Sequence, residues 1–227
     1  MPIKISYKKG VNERNIKNFV LFSNKEFKIN GLSKLSLVKN SNQINKTTNS
    51  NKSKKNNFIS FNINPDQKII LIKINNDESS TENEKKGANF YNFVKSNSLN
   101  NLSFLDINIK ETQSKNKSFI DEFLHGMQLK SYEFNKYKTK KDAIEININV
   151  IFKTKVPTKV KNNRFTSLLD GTNFTKDLVS EPGNILHPDE YAKRLLKLKK
   201  IGLKIKVYNE KALKKLGMGA LLGVGQG

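Results

Sequence analysis

The side chains that could do catalytic chemistry are few in this sequence and widely spaced. It contains no cysteine, which excludes disulfides, thiolate nucleophiles and cysteine-ligated zinc. Its only two histidines, His125 and His187, stand far apart, and neither forms a pattern with a nucleophile or with further metal ligands. We expect His125 to be solvated, on the polar side of a helix near Asp121 and Gln128. No histidine-based catalytic site follows from this arrangement.

Two pairs of adjacent carboxylates could suggest acid–base catalysis: Asp121 with Glu122, and Asp189 with Glu190. Neighbouring residues on a helix point about 100° apart, so the two carboxylates of a pair do not converge on one reacting atom. Asp189 and Glu190 fall in the first turn of a predicted helix, where negative charge is favourable. Both pairs are therefore interpreted as structural.

A group of glycines near the end of the sequence resembles a phosphate-binding loop but lacks its spacing. The pattern runs Gly217-x-Gly219-x-x-x-Gly223, whereas a dinucleotide-binding turn has G-x-G-x-x-G between a strand and a helix. We interpret the glycines as a helix stop followed by a buried strand. The remaining members of the group are Gly225 and Gly227.

Three sequence blocks occur in one characteristic order. They are Tyr132-Glu-Phe-Asn-Lys-Tyr-Lys-Thr-Lys140, Thr175-Lys-Asp-Leu-Val-Ser-Glu-Pro-Gly-Asn-Ile-Leu-His-Pro-Asp-Glu-Tyr-Ala192 and Leu216-Gly-Met-Gly-Ala-Leu-Leu-Gly-Val-Gly-Gln-Gly227. In content and order they resemble the leucine aminopeptidase (cytosol aminopeptidase) family. The aromatic residues of the first block could stack on nucleic-acid bases, but the resemblance favours a packing role for them.

The resemblance implies that a complete family member removes amino-terminal residues from peptides, using two Mn²⁺ or Zn²⁺ ions, as a cytoplasmic hexamer. In the family the metal ligands, a lysine and several Asp and Glu residues, lie beyond the point that matches Gly227. No acidic residue follows Glu210. We therefore assign no catalytic, cofactor-binding or metal-binding residue, and we expect the 227-residue chain to be inactive alone and to bind neither ion tightly.

The sequence is strongly basic, with a formal net charge of +22 and a pI near 9.9. Such a charge can indicate a nucleic-acid partner. However, only three of the 42 basic residues are arginine, the residue that reads bases bidentately. We expect solvated lysines and at most weak, non-specific nucleic-acid binding. The alternative is a basic, non-enzymatic module that binds DNA or acts in assembly.

The beginning of the sequence, Met1–Tyr7, has no apolar segment of the secretory type. No apolar run approaches the roughly 18 residues that a spanning helix needs. We expect a cytoplasmic protein with no membrane partner.

The elements that would position these residues alternate between strand and helix patterns, which predicts an α/β domain over residues 1–155. The resemblance adds a similarity of this domain to macro domains. Apolar periodicity predicts strands at 68–74, 102–109 and 144–152, and helices at 81–96 and 118–129. The nearly uninterrupted polar tract 39–57 is predicted to be a mobile loop or a hairpin extension, because it cannot bury enough surface to offset the entropy of ordering. The functional alternative is a basic arm that contacts phosphates.

A linker is predicted at 156–175. The resemblance implies a helix that connects the two domains, and we expect it to start near Asn163 and to continue to Val179. Residues 176–227 are expected to form the first elements of a truncated peptidase catalytic domain. A helix starts at Pro188 after the N-cap His187. Its buried stripe is expected to include Tyr191, Leu195 and Leu198. Strands are expected at 203–208 and 219–225, separated by a short helix that Asn209 caps and Gly217 ends.

Overall fold

The computed structural model describes residues 3–51, 56–75, 77–113, 115–139, 145–156 and 163–225. The chain divides into two units, Met1–Asn173 and Phe174–Gly227.

A mostly parallel, six-stranded sheet forms the centre of the first unit. Its strands are β1 (Ile3–Lys9), β2 (Asn18–Ser23), β3 (Phe58–Asn62), β4 (Lys68–Lys73), β5 (Asn101–Leu105) and β6 (Ile146–Phe152). They lie in the order β1-β6-β5-β2-β4-β3, and only β3 is antiparallel to its neighbour. The predicted α/β class is confirmed. The strand predicted at 68–74 is confirmed as β4, and the strand predicted at 144–152 is confirmed over residues 146–152 as β6.

Two helices cover one face of this sheet: α2 (Ser80–Ser96) and α4 (Phe119–Lys130). Both were predicted. A capping box starts α2, since the Ser79 hydroxyl accepts a bond from the Glu82 amide while the Glu82 carboxylate accepts from the Ser79 amide at 2.7 Å. Apolar side chains of the helices and of the sheet form one core beneath them: Val20, Phe22, Ile70, Ile72, Phe90, Val94, Phe104, Phe119, Phe123, Met127, Ile148 and Val150.

A second core covers the other face at β2 and β4, and it corrects the prediction of a loop at 39–57. A 3-10 turn at Ser36–Asn40 is followed by helix α1 (Ser41–Asn51). Ile44 is fully buried in this core together with Phe19, Leu21 and Leu71. The polar tract is thus helical because one well-placed apolar side chain anchors it to the sheet. Within the predicted loop, residues 52–55 lie outside the described residues, and residues 56–57 form no helix or strand.

The strand predicted at 102–109 is shorter than expected. β5 ends at Leu105, and helix α3 (Asp106–Thr112) begins at once. The reason is Asn108, whose Oδ1 accepts a hydrogen bond from the Phe22 amide at 2.7 Å and whose Nδ2 donates to the Phe22 carbonyl at 3.0 Å. At this point the side chain of α3 takes the place of a strand backbone beside β2.

Helices make up the regular structure of residues 163–225. They are α5 (Asn163–Ser180), α6 (Pro188–Leu196), α7 (Glu210–Lys215) and α8 (Gly219–Gly225), with a 3-10 helix at Lys197–Ile201. The predicted start of α6 at Pro188 and the N-cap position of His187 are confirmed, although the His187 side chain makes no capping bond. No described helix is both long and apolar enough to cross a membrane.

Three expectations for this part of the chain were wrong. Residues 203–208 form no regular secondary structure and belong to no described strand, and 219–225 form helix α8 instead of a strand. The stripe expected on α6 is not buried: Leu195 is half-buried and Tyr191 is exposed, while Leu198 is half-buried in the 3-10 helix that follows α6. Between residues 182 and 225 no residue is buried, so no packed sheet surrounds these segments.

Candidate functional site

Three ionisable side chains, Glu84, Glu122 and His125, take part in contacts between α2 and α4. The His125 side chain is buried, with Nδ1 2.8 Å from Glu84 Oε1 and its ring centroid 5.1 Å from that of Phe165. The expectation of a solvated histidine was therefore wrong, because α2 and Phe165 cover that side of α4. The second ring nitrogen, Nε2, is buried and has no hydrogen-bond partner among the described residues.

The neighbouring carboxylates Asp121 and Glu122 point to different partners, as their helical spacing predicts. The buried Glu122 Oε2 accepts bonds from Asn83 Nδ2 at 2.8 Å and from Asn116 Nδ2 at 3.0 Å. Asp121 acts on Tyr7 of β1. Burial, together with the negative charge of Asp121, raises the pKa of Tyr7 to about 12. Neither carboxylate is placed to share a reacting atom with the other.

The second pair of carboxylates belongs to an ion-pair network at the start of α6. Arg194 donates from Nη1 to Glu181 at 2.8 Å and from Nε to Glu190 at 3.1 Å. The hydrogen bond from Arg194 lowers the pKa of Glu190. The Glu181 side chain is only 2% exposed. The network ties the turn at Pro182–Gly183 to α6, which is a structural task.

The block that begins at Tyr132 comes directly after α4 and packs locally. The rings of Phe134 and Tyr137 meet edge to face, with their centroids 5.8 Å apart. Lys95 of α2 lies 3.0 Å from the Glu133 carboxylate, and this hydrogen bond lowers the pKa of Glu133. The block is thereby attached to the helical layer of the first unit.

The glycines after α7 do not form a phosphate loop. Gly217 adopts φ +68° and ends α7, as the sequence predicted. Gly219, Gly223 and Gly225 lie within α8. A dinucleotide-binding turn needs a strand before it, and in this segment no described strand precedes the glycines.

No metal site is formed by the part of the chain that the structure describes: no three His, Cys, Asp or Glu groups there could hold an ion. Glu84 with His125 makes one potential ligand pair, but the His125 side chain is only 6% exposed and packs against Phe165. These residues do not fit the two-ion site that the resemblance implies for a complete family member, so no catalytic step is derived through such ions.

The buried polar pairs between α2 and α4 were missed by sequence reasoning, although two glycines carry a signal for them. A Cβ atom on Gly126 would lie 1.9 Å from the Glu84 carbonyl oxygen, and one on Gly87 would lie 1.9 Å from that of Phe123. A glycine inside a helix costs about 1 kcal/mol relative to alanine. Glycine inside both α2 and α4 therefore indicates that the two helices cross closely, and the buried polar pairs lie near this crossing.

Two sequence comparisons, one with family models and one with individual proteins, point to the same family. Residues 173–227 match the cytosol aminopeptidase family, catalytic domain. A probable cytosol aminopeptidase of Bradyrhizobium sp. is 41% identical over 106 residues, which are 45% of this chain and 21% of that protein. One from Rhizobium leguminosarum is 34% identical over 130 residues, 55% of this chain and 26% of the relative. The chain thus spans about a quarter or less of the length of these relatives.

Solved structures of similar fold cover nearly the whole chain. A mutant of tomato leucine aminopeptidase superposes with a TM-score of 0.69 at 16% identity, over 94% of this chain and 46% of that one. The cytosol aminopeptidase of Coxiella burnetii gives a TM-score of 0.57 at 14% identity, over 92% and 41%. A bottromycin maturation enzyme in complex with Mn gives 0.53 at 13%, over 88% and 40%. At these identities the likeness concerns the fold.

Proposed function

We propose that this chain, a member of the cytosol aminopeptidase family, supplies the amino-terminal α/β domain and the first catalytic-domain elements of a leucyl aminopeptidase. The observation that carries the proposal is the match of residues 173–227 to the family's catalytic domain. The fold likeness to the tomato enzyme, over 94% of the chain, supports it independently. The boundaries we propose are residues 1–155 for the domain, 156–175 for the linker and 176–227 for the catalytic elements.

In the complete protein the reaction is removal of the amino-terminal residue from a peptide, in a cytoplasmic hexamer. Two Mn²⁺ or Zn²⁺ ions would supply the activated water and polarise the scissile carbonyl. The Mn-containing bottromycin maturation enzyme, a protein of similar fold, is in keeping with a metal requirement. The metal ligands are assigned to none of the described residues of this chain.

The chain's own residues have positioning tasks in this proposal. The buried side chain of Glu181 and its partner Arg194 fix the turn between α5 and α6, within the segment that matches the catalytic domain. A buried ion pair is costly to break, because removing one partner leaves the other charge desolvated. We infer that Arg194 holds the first catalytic elements in register with the rest of the catalytic domain.

The test uses two proteins and a leucyl substrate with added Mn²⁺ or Zn²⁺. One is the 227-residue chain, and the other is a chimera that continues this chain with the remaining part of the Bradyrhizobium relative. We expect turnover only from the chimera, together with tight metal binding in calorimetric titration. A folded chimera without activity would contradict the proposed function, and turnover by the 227-residue chain would contradict the assignment of the ligands outside it.

A further inference from the structure

The strand β3 forms one edge of the sheet, and its outer side pairs with no described strand. It lies last in the strand order, beside β4 alone. At one end of this pair the Lys73 amide donates to the Asn57 carbonyl at 2.9 Å. At the other end the Ile63 amide donates to the Gln67 carbonyl at 2.9 Å. Hydrogen bonding alternates along an antiparallel strand, so the odd-numbered residues of β3 bond to β4 and the backbone groups of the even-numbered residues point to the open edge.

The backbone groups at this open edge are largely unpaired. Neither Phe58 nor Ser60 exchanges a backbone hydrogen bond with a described residue on this side, and Ser60 is exposed. The carbonyl oxygen of Asn62 accepts a bond from Gln43 Nε2 at 3.1 Å, but a carbonyl oxygen has two lone pairs and can accept a second bond. The edge therefore offers a row of donors and acceptors to another strand.

The two edges of the sheet differ in charge. The opposite edge strand, β1, carries three exposed lysines: Lys4, Lys8 and Lys9. Lysines on an edge strand oppose pairing between copies of a protein, because the pairing would bring like charges together. The sequence of β3 is Phe-Ile-Ser-Phe-Asn, which contains no charged residue, no proline and no glycine. β3 thus lacks the side chains that prevent an edge strand from pairing.

We propose that β3 pairs with β3 of a second copy of this chain, antiparallel and across a twofold axis at Ser60. About this axis Ser60 lies opposite Ser60 of the second copy and Phe58 lies opposite Asn62 of the second copy, so the outward donors and acceptors meet.

The side chains of β3 are also complementary to themselves about this axis. Ile59 lies opposite Phe61 of the second copy, on the face where both residues contact the second core. An aromatic beside a β-branched side chain is a favourable cross-strand pair, and no charged residues of β3 face one another. The pairing would join two six-stranded sheets into one. It uses only the first unit and does not rest on the proposed function.

The lack of cysteine in this chain allows a direct test by cross-linking. Residues of a hydrogen-bonded antiparallel pair have Cα atoms about 5.5 Å apart, and a disulfide needs about 4.4–6.8 Å. We expect Ser60→Cys to form a disulfide-linked dimer on mild oxidation. Ser6→Cys is the matched control, because Ser6 is also an exposed serine on an edge strand, and it should remain unlinked. Equal rates of linking in the two variants, or no linking of Ser60→Cys, would overturn the pairing.

Sedimentation equilibrium of the 227-residue chain measures the same association without a covalent link, and we expect dimers that dissociate on dilution. Ser60→Pro removes an N–H group that points away from β4, so circular dichroism should show an unchanged fold. It should weaken the dimer on the order of tenfold, because each copy loses one hydrogen bond. Ser60→Lys places two ammonium groups opposite each other and should weaken the dimer at least as much, whereas Ser6→Lys should not.

Two results of the sedimentation measurements would overturn the proposal. Dimers of equal stability in all the variants would place the contact elsewhere, for example on the exposed apolar side chains of the second unit. A chain that stays monomeric would leave the edge of β3 to a strand from another protein.

Discussion

At the scale of single residues, Asn108 organises the junction between the sheet and α3. It is fully buried, and besides its two bonds to Phe22 it donates to the Asn30 carbonyl at 3.0 Å. A buried backbone group without a partner costs about 1–3 kcal/mol. One amide side chain thereby satisfies backbone groups of β2 and of the loop after it.

Replacing Asn108 by alanine should therefore lower the free energy of unfolding by about 2–4 kcal/mol, since the Phe22 and Asn30 groups lose their partner in a buried site. Urea denaturation followed by circular dichroism measures the change. Asn97→Ala is the control, because Asn97 is exposed at the end of α2 and should cost less than about 1 kcal/mol. Similar losses of unfolding free energy in the two variants would show that the Asn108 hydrogen bonds contribute no more to stability than an exposed one.

Tyr7 gives a prediction about pH. The pKa of its phenol is raised from 10.0 to about 12 by burial and by Asp121. Between these two values the unfolded chain loses the Tyr7 proton while the folded chain keeps it. The folded state then binds more protons, so the free energy of unfolding falls as the pH rises. Tyr7→Phe removes this contribution. Denaturant midpoints measured from about pH 9 to pH 12 cover the range between the two pKa values. Over this range the midpoint of the variant should fall less steeply than that of the unaltered chain. Parallel profiles would contradict the burial of the phenol.

At the scale of elements, close helix packing explains why glycine occurs inside α2 and α4. Alanine at Gly126 would bring its Cβ to 1.9 Å from the Glu84 carbonyl oxygen, so the helices must separate. That separation would also disturb the bond of 2.8 Å between Glu84 and His125. The polar pairs and the glycines are thus parts of one interface.

Gly126→Ala should lower the free energy of unfolding by about 1–3 kcal/mol or more through overpacking. Gly171→Ala is the matched control: it also lies inside a helix, α5, but a Cβ there meets nothing within 4 Å. The higher helix propensity of alanine should stabilise that variant by about 0.5–1 kcal/mol. Thermal denaturation of both variants measures the two changes in stability. A change of the same sign in both variants would contradict the close packing of α2 against α4.

Periodicity in the sequence was sufficient to predict β4, α2, α4 and β6, because each carries a strong apolar repeat on one or both faces. It failed for α1, where a single residue, Ile44, anchors a polar helix, and for α3, where Asn108 replaces a strand partner. It also failed at 219–225, which was predicted as a strand although a strand needs a neighbour to pair with. The contact between His125 and Glu84 depends on which helices meet, and this is information that the pattern of a single helix does not contain.

At the scale of the whole molecule, the net positive charge does not by itself indicate the function. The formal net charge is +22, but lysine supplies almost all of the positive side chains. Solvated lysines attract phosphates at long range without reading base sequence. The family match accounts for residues 173–227 without reference to this charge. A basic surface is therefore expected to act on nucleic acid only through counterion release.

The expected behaviour is weak binding to DNA that is independent of sequence and lost at physiological salt. For a protein that makes 6–10 phosphate contacts, affinity falls by roughly 10³–10⁵ between about 50 and 200 mM salt. Titrating two duplexes of equal length and different sequence over that range measures both properties. Tight binding to one duplex at about 150 mM salt would instead favour the DNA-binding alternative over a purely electrostatic contact.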